Sequence, residues 1–170
     1  VDFSLEMPES GAAAVFGESG SGKTTLLKLI AGLIKPIKGE VTGLDGKRIS
    51  MVFQEDRLLP WLTVWQNVLV CARDEHAAEE SLALVELSSR KGSYPKELSG
   101  GMQRRVAIAR ALAYGGDVLL LDEPFKGLDE ELRKRVATRI RETNAAALII
   151  LSTHDEEDAA MLGCSLQVRL

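Results

Sequence analysis

The chain has 170 residues, 45% apolar and 27% charged, which fits a single domain with a buried core and excludes disorder along its whole length. A net charge of −4 argues against a general nucleic-acid binder, because neutralising a phosphate backbone needs a basic face. The short basic clusters Arg90-Lys91, Arg104-Arg105 and Arg133-Lys134-Arg135 read for the most part as solvated surface.

Cys71 and Cys164 lie far apart without CxxC spacing, which fits a reducing, intracellular compartment. The longest apolar stretches, such as Ala145 to Leu151, are too short to span a bilayer, and no secretory pattern opens the chain. The expectation is a soluble protein whose membrane role, if any, comes through a partner. The chain begins with Val1 rather than Met, which leaves room for residues upstream.

In chain order, Val1 to Met7 alternates like a strand and Pro8 to Gly11 reads as a turn. Ala12 to Phe16 is a short apolar run ending in a Gly-rich loop. Thr24 to Leu33 is helical, with Leu26, Leu27, Ile30 and Leu33 on one stripe. Glu40 to Phe53 reads as two short strands around a turn at Asp45-Gly46. Three helices follow, over Thr63 to Ala72, Glu75 to Ser88 and Gly101 to Tyr114, with Tyr94-Pro95 as a break. Val118 to Asp122 is a buried strand, Glu130 to Thr143 an amphipathic helix, and Ala147 to Ser152 another strand. A helix starting at Asp155 and a strand over Leu166 to Leu170 close the chain. Buried strands alternating with helices predict a mostly parallel sheet covered on both faces. The domain is expected to run over 1–170, with a core of 1–55 and 114–170 and a helical insert over about 56–113.

Gly17-Glu18-Ser19-Gly20-Ser21-Gly22-Lys23-Thr24 fits the phosphate-loop pattern G-x-x-x-x-G-K-[ST] at every fixed position, and Thr25 continues the helix start. Phosphate oxygens need converging backbone N–H donors, which glycine-rich backbone can curl close enough to supply. The following helix points its positive end at the anion, Lys23 adds a full charge, and the Thr24 hydroxyl can ligate Mg²⁺. The plain alternative, a Gly/Ser turn before a helix, loses because the loop both follows a strand and opens a helix.

Asp122 and Glu123 stand at the end of the buried run Val118 to Leu121, and ligands in open α/β sheets sit beyond the carboxyl ends of strands. Asp122 can hold Mg²⁺ opposite Thr24, and Glu123 can face the attacking water as general base. Two solvated acids at a strand end are common on their own; beside a phosphate loop the functional reading prevails.

Leu98-Ser99-Gly100-Gly101-Met102-Gln103, followed by Arg104-Arg105-Val106-Ala107-Ile108-Ala109-Arg110-Ala111-Leu112, closely resembles the signature motif and helix of the ATP-binding cassette (ABC) family. Physically, Ser99, Gly100 and Gly101 make a second anion-binding helix start. The resemblance implies that this segment, with Gln103, caps the γ-phosphate held by the opposite subunit. It further implies that Gln54 reaches Mg²⁺ and the attacking water, that Asp129 of Gly127-Leu128-Asp129 crosses a dimer interface, and that His154 hydrogen-bonds the γ-phosphate. His76, in a charged helix start, is left as surface.

The segment Met51 to Val64 is similar to bacterial importer ATPases of the nitrate, sulfonate and taurine group. That resemblance implies an ATP hydrolase on the cytoplasmic face of the membrane, a second copy as partner, a transmembrane permease, and indirectly a solute-binding protein, with no nucleic acid. Leu58, Leu59 and Trp61 are candidates for the permease docking patch, or else staple the next helix to the core. An exporter ATPase, and one acting on DNA or ribosomes, are the alternatives. Several departures stand out. The stretch Lys23 to Gln54 implies a trimmed antiparallel arm, Lys126-Gly127 replaces the usual small residues, and no adenine-stacking aromatic is assigned, Phe3 lying within the expected first strand. The chain stops soon after His154, without the tail or regulatory domain of some relatives, which leaves open a reduced activity in isolation. The fold expected is an α/β P-loop NTPase core with a mostly parallel sheet, a small antiparallel β arm and an inserted helical subdomain.

Overall fold

A computed structural model describes residues 4–170 of the chain. Its frame is a five-stranded sheet made of β1 (Gly11–Phe16), β2 (Ile49–Val52), β3 (Val118–Asp122), β4 (Leu148–Thr153) and β5 (Leu166–Arg169). The spatial order is β2-β3-β4-β1-β5, and each neighbouring pair is parallel. Parallel neighbours require crossovers that cover both faces, so their strands lose the polar alternation of a half-exposed sheet. Accordingly β3 and β4 are buried at every residue.

Alternate residues of these strands feed two cores. Val15, Val118, Leu120, Leu148 and Ile150 pack with Leu27 and Ile30 of α1 (Lys23–Ile30) on one face. Ala14, Phe16, Leu119, Leu121, Ile149 and Leu151 face the larger cluster, which includes Val106, Ile108 and Leu112 of α4 (Gly100–Tyr114) and Val136 and Ile140 of α5 (Glu130–Thr143). Between β2 and β3 lie α2 (Val64–Leu69), α3 (Glu75–Leu84), two short 3₁₀ turns and α4; α6 (Glu156–Leu162) follows β4.

The helices start where the sequence offers caps. Thr63 and Gln66 form a reciprocal capping box on α2, Asp74 accepts from the Ala77 amide on α3, and Asp129 from the Leu132 amide on α5. Fully buried Asn67 accepts from the Leu59 amide and donates to the carbonyls of Leu59, Leu62 and Thr63, which ties down the loop before α2. In that loop Leu58 and Leu59 are half-buried, whereas Trp61 is 69% exposed. The stapling role therefore describes Leu58, which packs on the core, while Trp61 remains free on the surface.

Three expectations need correction. Residues 1–3, including Phe3, lie outside the described residues, and Ser4 to Met7 form no strand. The hairpin over Glu40 to Phe53 is absent: only β2 forms, pairing with β3, and Asp45-Gly46 is a turn that leads into it. The antiparallel arm is therefore missing among the described residues, and the sheet is wholly parallel. Gly43, inside the expected first strand, adopts φ 80°, a left-handed conformation that breaks an extended run. Arg48 is meanwhile bound to the start of β3, its amide donating to Asp117 Oδ2 at 2.7 Å and its carbonyl accepting from the Asp117 and Val118 amides. Finally, α3 ends at Leu84 rather than Ser88, because Glu86 turns the chain with φ 59°.

Candidate active site

Sheet register gathers the polar residues at one edge. Phe16 lies opposite Thr153, Asp122 opposite Ser152, and Val52 opposite Leu121. The residues that follow these strand ends, Gly17, His154, Glu123 and the pair Phe53-Gln54, thus emerge together beyond the carboxyl ends of the strands, where open α/β sheets bind ligands.

The loop from Gly17 to Gly22 closes tightly. A Cβ at Gly17 would lie 2.2 Å from Ser21 Oγ, and Gly22, the residue capping α1, has φ 102°. Glu18, Ser19 and Gly20 are exposed, as is Thr25 in the first turn. Lys23 is only 7% exposed, and its ammonium donates to the carbonyls of Gly17 (2.6 Å) and Glu18 (2.9 Å) across the mouth of the loop. The side chain is thereby aimed where phosphate oxygens would meet the loop amides.

Thr24 Oγ1 donates to Asp122 Oδ2 at 2.7 Å, and Ser152 Oγ donates to Asp122 Oδ1 at 2.5 Å. Asp122 is 1% exposed, so hydroxyls from α1 and β4 supply its polar partners inside the protein. A threonine hydroxyl beside a carboxylate is a hard-oxygen pair that suits Mg²⁺, which takes few protein ligands and completes its shell with water and substrate phosphates. The expected third ligand, Gln54, has an exposed side chain outside this pair; only its backbone is drawn into the site.

Glu123 breaks from the strand in a left-handed conformation, φ 47°, uncommon for a residue with a side chain. Its amide donates to the Ser152 carbonyl at 3.1 Å. Glu123 Oε1 lies 3.9 Å from His154 Nδ1 and Oε2 lies 3.9 Å from Lys126 Nζ, so the two residues expected to act on water and γ-phosphate face each other. The His154 side chain is 74% exposed and free to reach a ligand.

The signature residues form a separate surface. Ser99 caps α4, its hydroxyl accepting from the Met102 amide at 3.3 Å, and Ser99 and Gly100 are exposed. Among the described residues no hydrogen bond joins Ser99 to the phosphate loop of its own chain. Gly101 packs against the segment before α5: a Cβ there would lie 2.8 Å from the Gly127 carbonyl oxygen. Gly127 itself has φ 81°, so the glycine that departs from the usual small residues answers a backbone need. Gln103 turns away from the exposed tip, donating to the carbonyls of Pro95 and Leu98. Asp129 is exposed and caps α5.

Sequence reasoning missed Arg104. Grouped there with a solvated basic cluster, it is 4% exposed and donates to six acceptors at the site. The signal was its helical phase: Ala107, Ile108 and Ala111, three, four and seven residues on, are all buried. Arg133 was likewise misread. Its guanidinium hydrogen-bonds Asp155 (2.6 Å) and Glu157 (2.8 Å) and forms an ion pair with Asp158 (3.2 Å), joining α5 to the helix that follows His154.

A parallel α/β sheet with a phosphate loop on β1, a carboxylate pair on β3 and a second, outward-facing Ser-Gly-Gly helix start defines an ATP-binding cassette ATPase. A family model described as ABC transporter matches residues 1–126. The chain is 44% identical over 166 residues to an aliphatic sulfonates import ATP-binding protein of Granulibacter bethesdensis, covering 94% of this chain and 68% of that one. The corresponding proteins of Paraburkholderia xenovorans and Bacillus cereus are 43% and 42% identical, with 65% and 69% of their lengths covered. The chain thus spans about two thirds of the length of these relatives. Among solved structures, a bacterial ABC transporter cassette described as dimeric matches with a TM-score of 0.81 at 30% identity, over 92% of this chain and 80% of that one. A second matching structure is a dimeric post-hydrolysis state of such a cassette bound to ADP and Pi, with the same score and coverage. The chain belongs to the ABC transporter family, as one of its ATP-hydrolysing ATP-binding subunits. These relatives do not favour a DNA- or ribosome-acting ATPase.

Proposed function

We propose that this chain is the motor of an importer for aliphatic sulfonates, working as a pair of copies that sandwich two Mg·ATP head to tail. The observation that carries the reading is the 2.7 Å hydrogen bond between Thr24 and Asp122, with Glu123 turned out beside it. Gly17 to Gly22 and Lys23 bind the triphosphate, with Thr24 and Thr25 opening the helix behind it. Thr24, Asp122 and Gln54 are the residues that would hold Mg²⁺, which when bound neutralises charge on the β- and γ-phosphates. Glu123 accepts a proton from the attacking water, and His154 steadies the γ-phosphate. Ser99, Gly100 and Gly101 of one copy cover the nucleotide of the other, with Gln103 bracing that turn from behind and Asp129 near the shared interface.

Because ATP is the shared ligand, its γ-phosphate closes the pair and hydrolysis lets it open. A permease would dock on the helical subdomain, residues 56–113, near exposed Trp61, and place the subunit on the inner face of the membrane. A solute-binding protein would deliver the sulfonate to that permease from outside.

The test joins enzymology to pull-down. Glu123→Gln should keep ATP affinity and lose roughly 10²–10⁴-fold in turnover, the usual contribution of a general base. Unchanged turnover would remove Glu123 from the mechanism. A membrane permease should co-purify with the wild type; nucleic acid in its place would refute transport.

A further inference from the structure

We propose that Arg104 is a positioning residue that couples the Ser99 helix to the catalytic backbone of its own subunit, holding Gln54 and Glu123 in register. The proposal rests on the ATPase site described above.

The geometry is specific. Arg104 Nη1 donates to the carbonyls of Phe53 (2.5 Å) and Gln54 (3.3 Å) and to Asp56 Oδ1 (3.0 Å). Arg104 Nη2 donates to the carbonyls of Asp122 (2.6 Å) and Glu123 (2.7 Å), and Nε to that of Pro124 (3.1 Å). One planar fork therefore grips both segments that carry reaction-facing side chains. Five N–H groups in a fixed plane can serve acceptors on two sides at once, which a lysine ammonium on a flexible stem cannot.

Each grip has a reason. Asp122 is the last residue of β3 and Glu123 turns left-handed beyond it, and Arg104 gives both carbonyls the donors that backbone oxygens held away from water need. The Gln54 segment has no strand partner beyond Val52, where β2 ends. Arg110, on the same helix, adds a second hold, donating to the carbonyls of Asp56 and Arg57 at 3.1 and 2.9 Å. The 53–57 segment is thus strapped to α4.

Helix α4 begins at the Ser99 cap, about 7 Å before Arg104 at 1.5 Å per residue. A helix is rigid over that span. When the helix start engages the nucleotide of the other copy, Arg104 moves with it and carries the backbones of Gln54 and Glu123. The base of one site is then aligned by closure of the other.

The experiment compares Arg104→Lys with wild type in ATP turnover, in equilibrium binding of a non-hydrolysable ATP analogue, and in combination with Glu123→Gln. A misplaced base predicts a turnover about 10- to 100-fold lower at saturating ATP. The dissociation constant for the analogue should change by less than about threefold, since the phosphate loop is untouched. In the Glu123→Gln background, single-turnover rates should drop by less than about threefold more, because the group that Arg104 positions is already lost. Wild-type turnover in Arg104→Lys, or losses that multiply in the double variant, would overturn the proposal. A wild type with no ATPase activity would instead defeat the underlying assignment of function. Should Arg104→Lys fail to fold, Asp56→Asn decides: it removes only the charged acceptor and should give a smaller loss in turnover with analogue binding retained, whereas unchanged turnover overturns the coupling.

Discussion

Thr24 and Asp122, 98 residues apart in sequence, share a 2.7 Å hydrogen bond at the edge of the sheet. One belongs to the first turn after the phosphate loop, the other to the last residue of β3. Because Asp122 is buried and also accepts from Ser152, its two oxygens are held at fixed places rather than left to sample rotamers. Replacing it with Asn keeps the shape and removes the charge. Asp122→Asn should fold, bind metal-free ATP as the wild type does, and lose most of the gain in affinity that Mg²⁺ confers. Calorimetric titration with Mg²⁺ and with EDTA checks this. An undiminished Mg²⁺ effect would exclude Asp122 as a ligand.

The two glycines of the signature do different work. A Cβ at Gly101 would meet the Gly127 carbonyl at 2.8 Å, and that atom belongs to backbone that cannot swing aside. Gly100 has nothing within 4 Å of such an atom. Gly101→Ala should therefore destabilise the fold by about 1–3 kcal/mol, the usual cost of overpacking. Gly100→Ala should leave stability equal or up to about 1 kcal/mol higher, through better helix propensity. Urea midpoints separate the two. In Gly100→Ala any loss of ATP turnover then reports contact with the other copy's nucleotide rather than misfolding.

Much of this architecture is legible in the residues because local and tertiary signals agree. Val118–Asp122 and Glu130–Thr143 form at the positions their patterns predict, since an unbroken apolar run suits a parallel strand covered on both faces, and Asp129 caps the helix. The phosphate loop is legible because its spacing is a statement about backbone geometry. The expected hairpin at Asp45-Gly46 fails because a turn signal cannot say whether flanking residues find a strand partner; Arg48 finds Asp117 instead. The left-handed Glu123 was not legible, since no local pattern requires φ 47° there. That conformation is held by distant groups, Ser152 and Arg104, and tertiary contacts of this kind leave no trace in adjacent residues.

Arg133 shows how a run of basic residues can hide a structural anchor. Its guanidinium bridges Asp155, Glu157 and Asp158, and Asp158 is 7% exposed with a second tie from the Thr153 hydroxyl. Burial pushes the Asp158 carboxyl above its ordinary range, against the opposing pull of the Thr153 hydrogen bond and Arg133. Arg133→Met should leave that charge buried without its counter-ion and destabilise the protein by about 3–5 kcal/mol at neutral pH. A raised carboxyl favours the neutral form in the folded state, so protonation relieves the deficit. The gap between variant and wild type should narrow as the pH falls from neutral toward the ordinary carboxylate range, as seen in urea midpoints at each pH. A gap that does not change with pH would show that Arg133 acts through packing alone.

The two thiols should differ sharply in chemistry. Cys71 is exposed, while Cys164 is partly buried against the main core and its thiol is pushed up to about 11 by desolvation. Thiolate is the reactive form, so at pH 8 a disulfide reagent should titrate Cys71 quickly and Cys164 slowly. The same shift has a consequence for stability. The unfolded chain ionises this thiol near its ordinary value of 9.0, before the folded chain does. Stability from the neutral thiol is therefore fully present below pH 9 and drains away between about pH 9 and 11 as the unfolded state gains charge. Cys164→Ala should flatten the decline in melting temperature over that window, and Cys71→Ala should not. If both variants decline as steeply as the wild type, burial of Cys164 does not govern its ionisation.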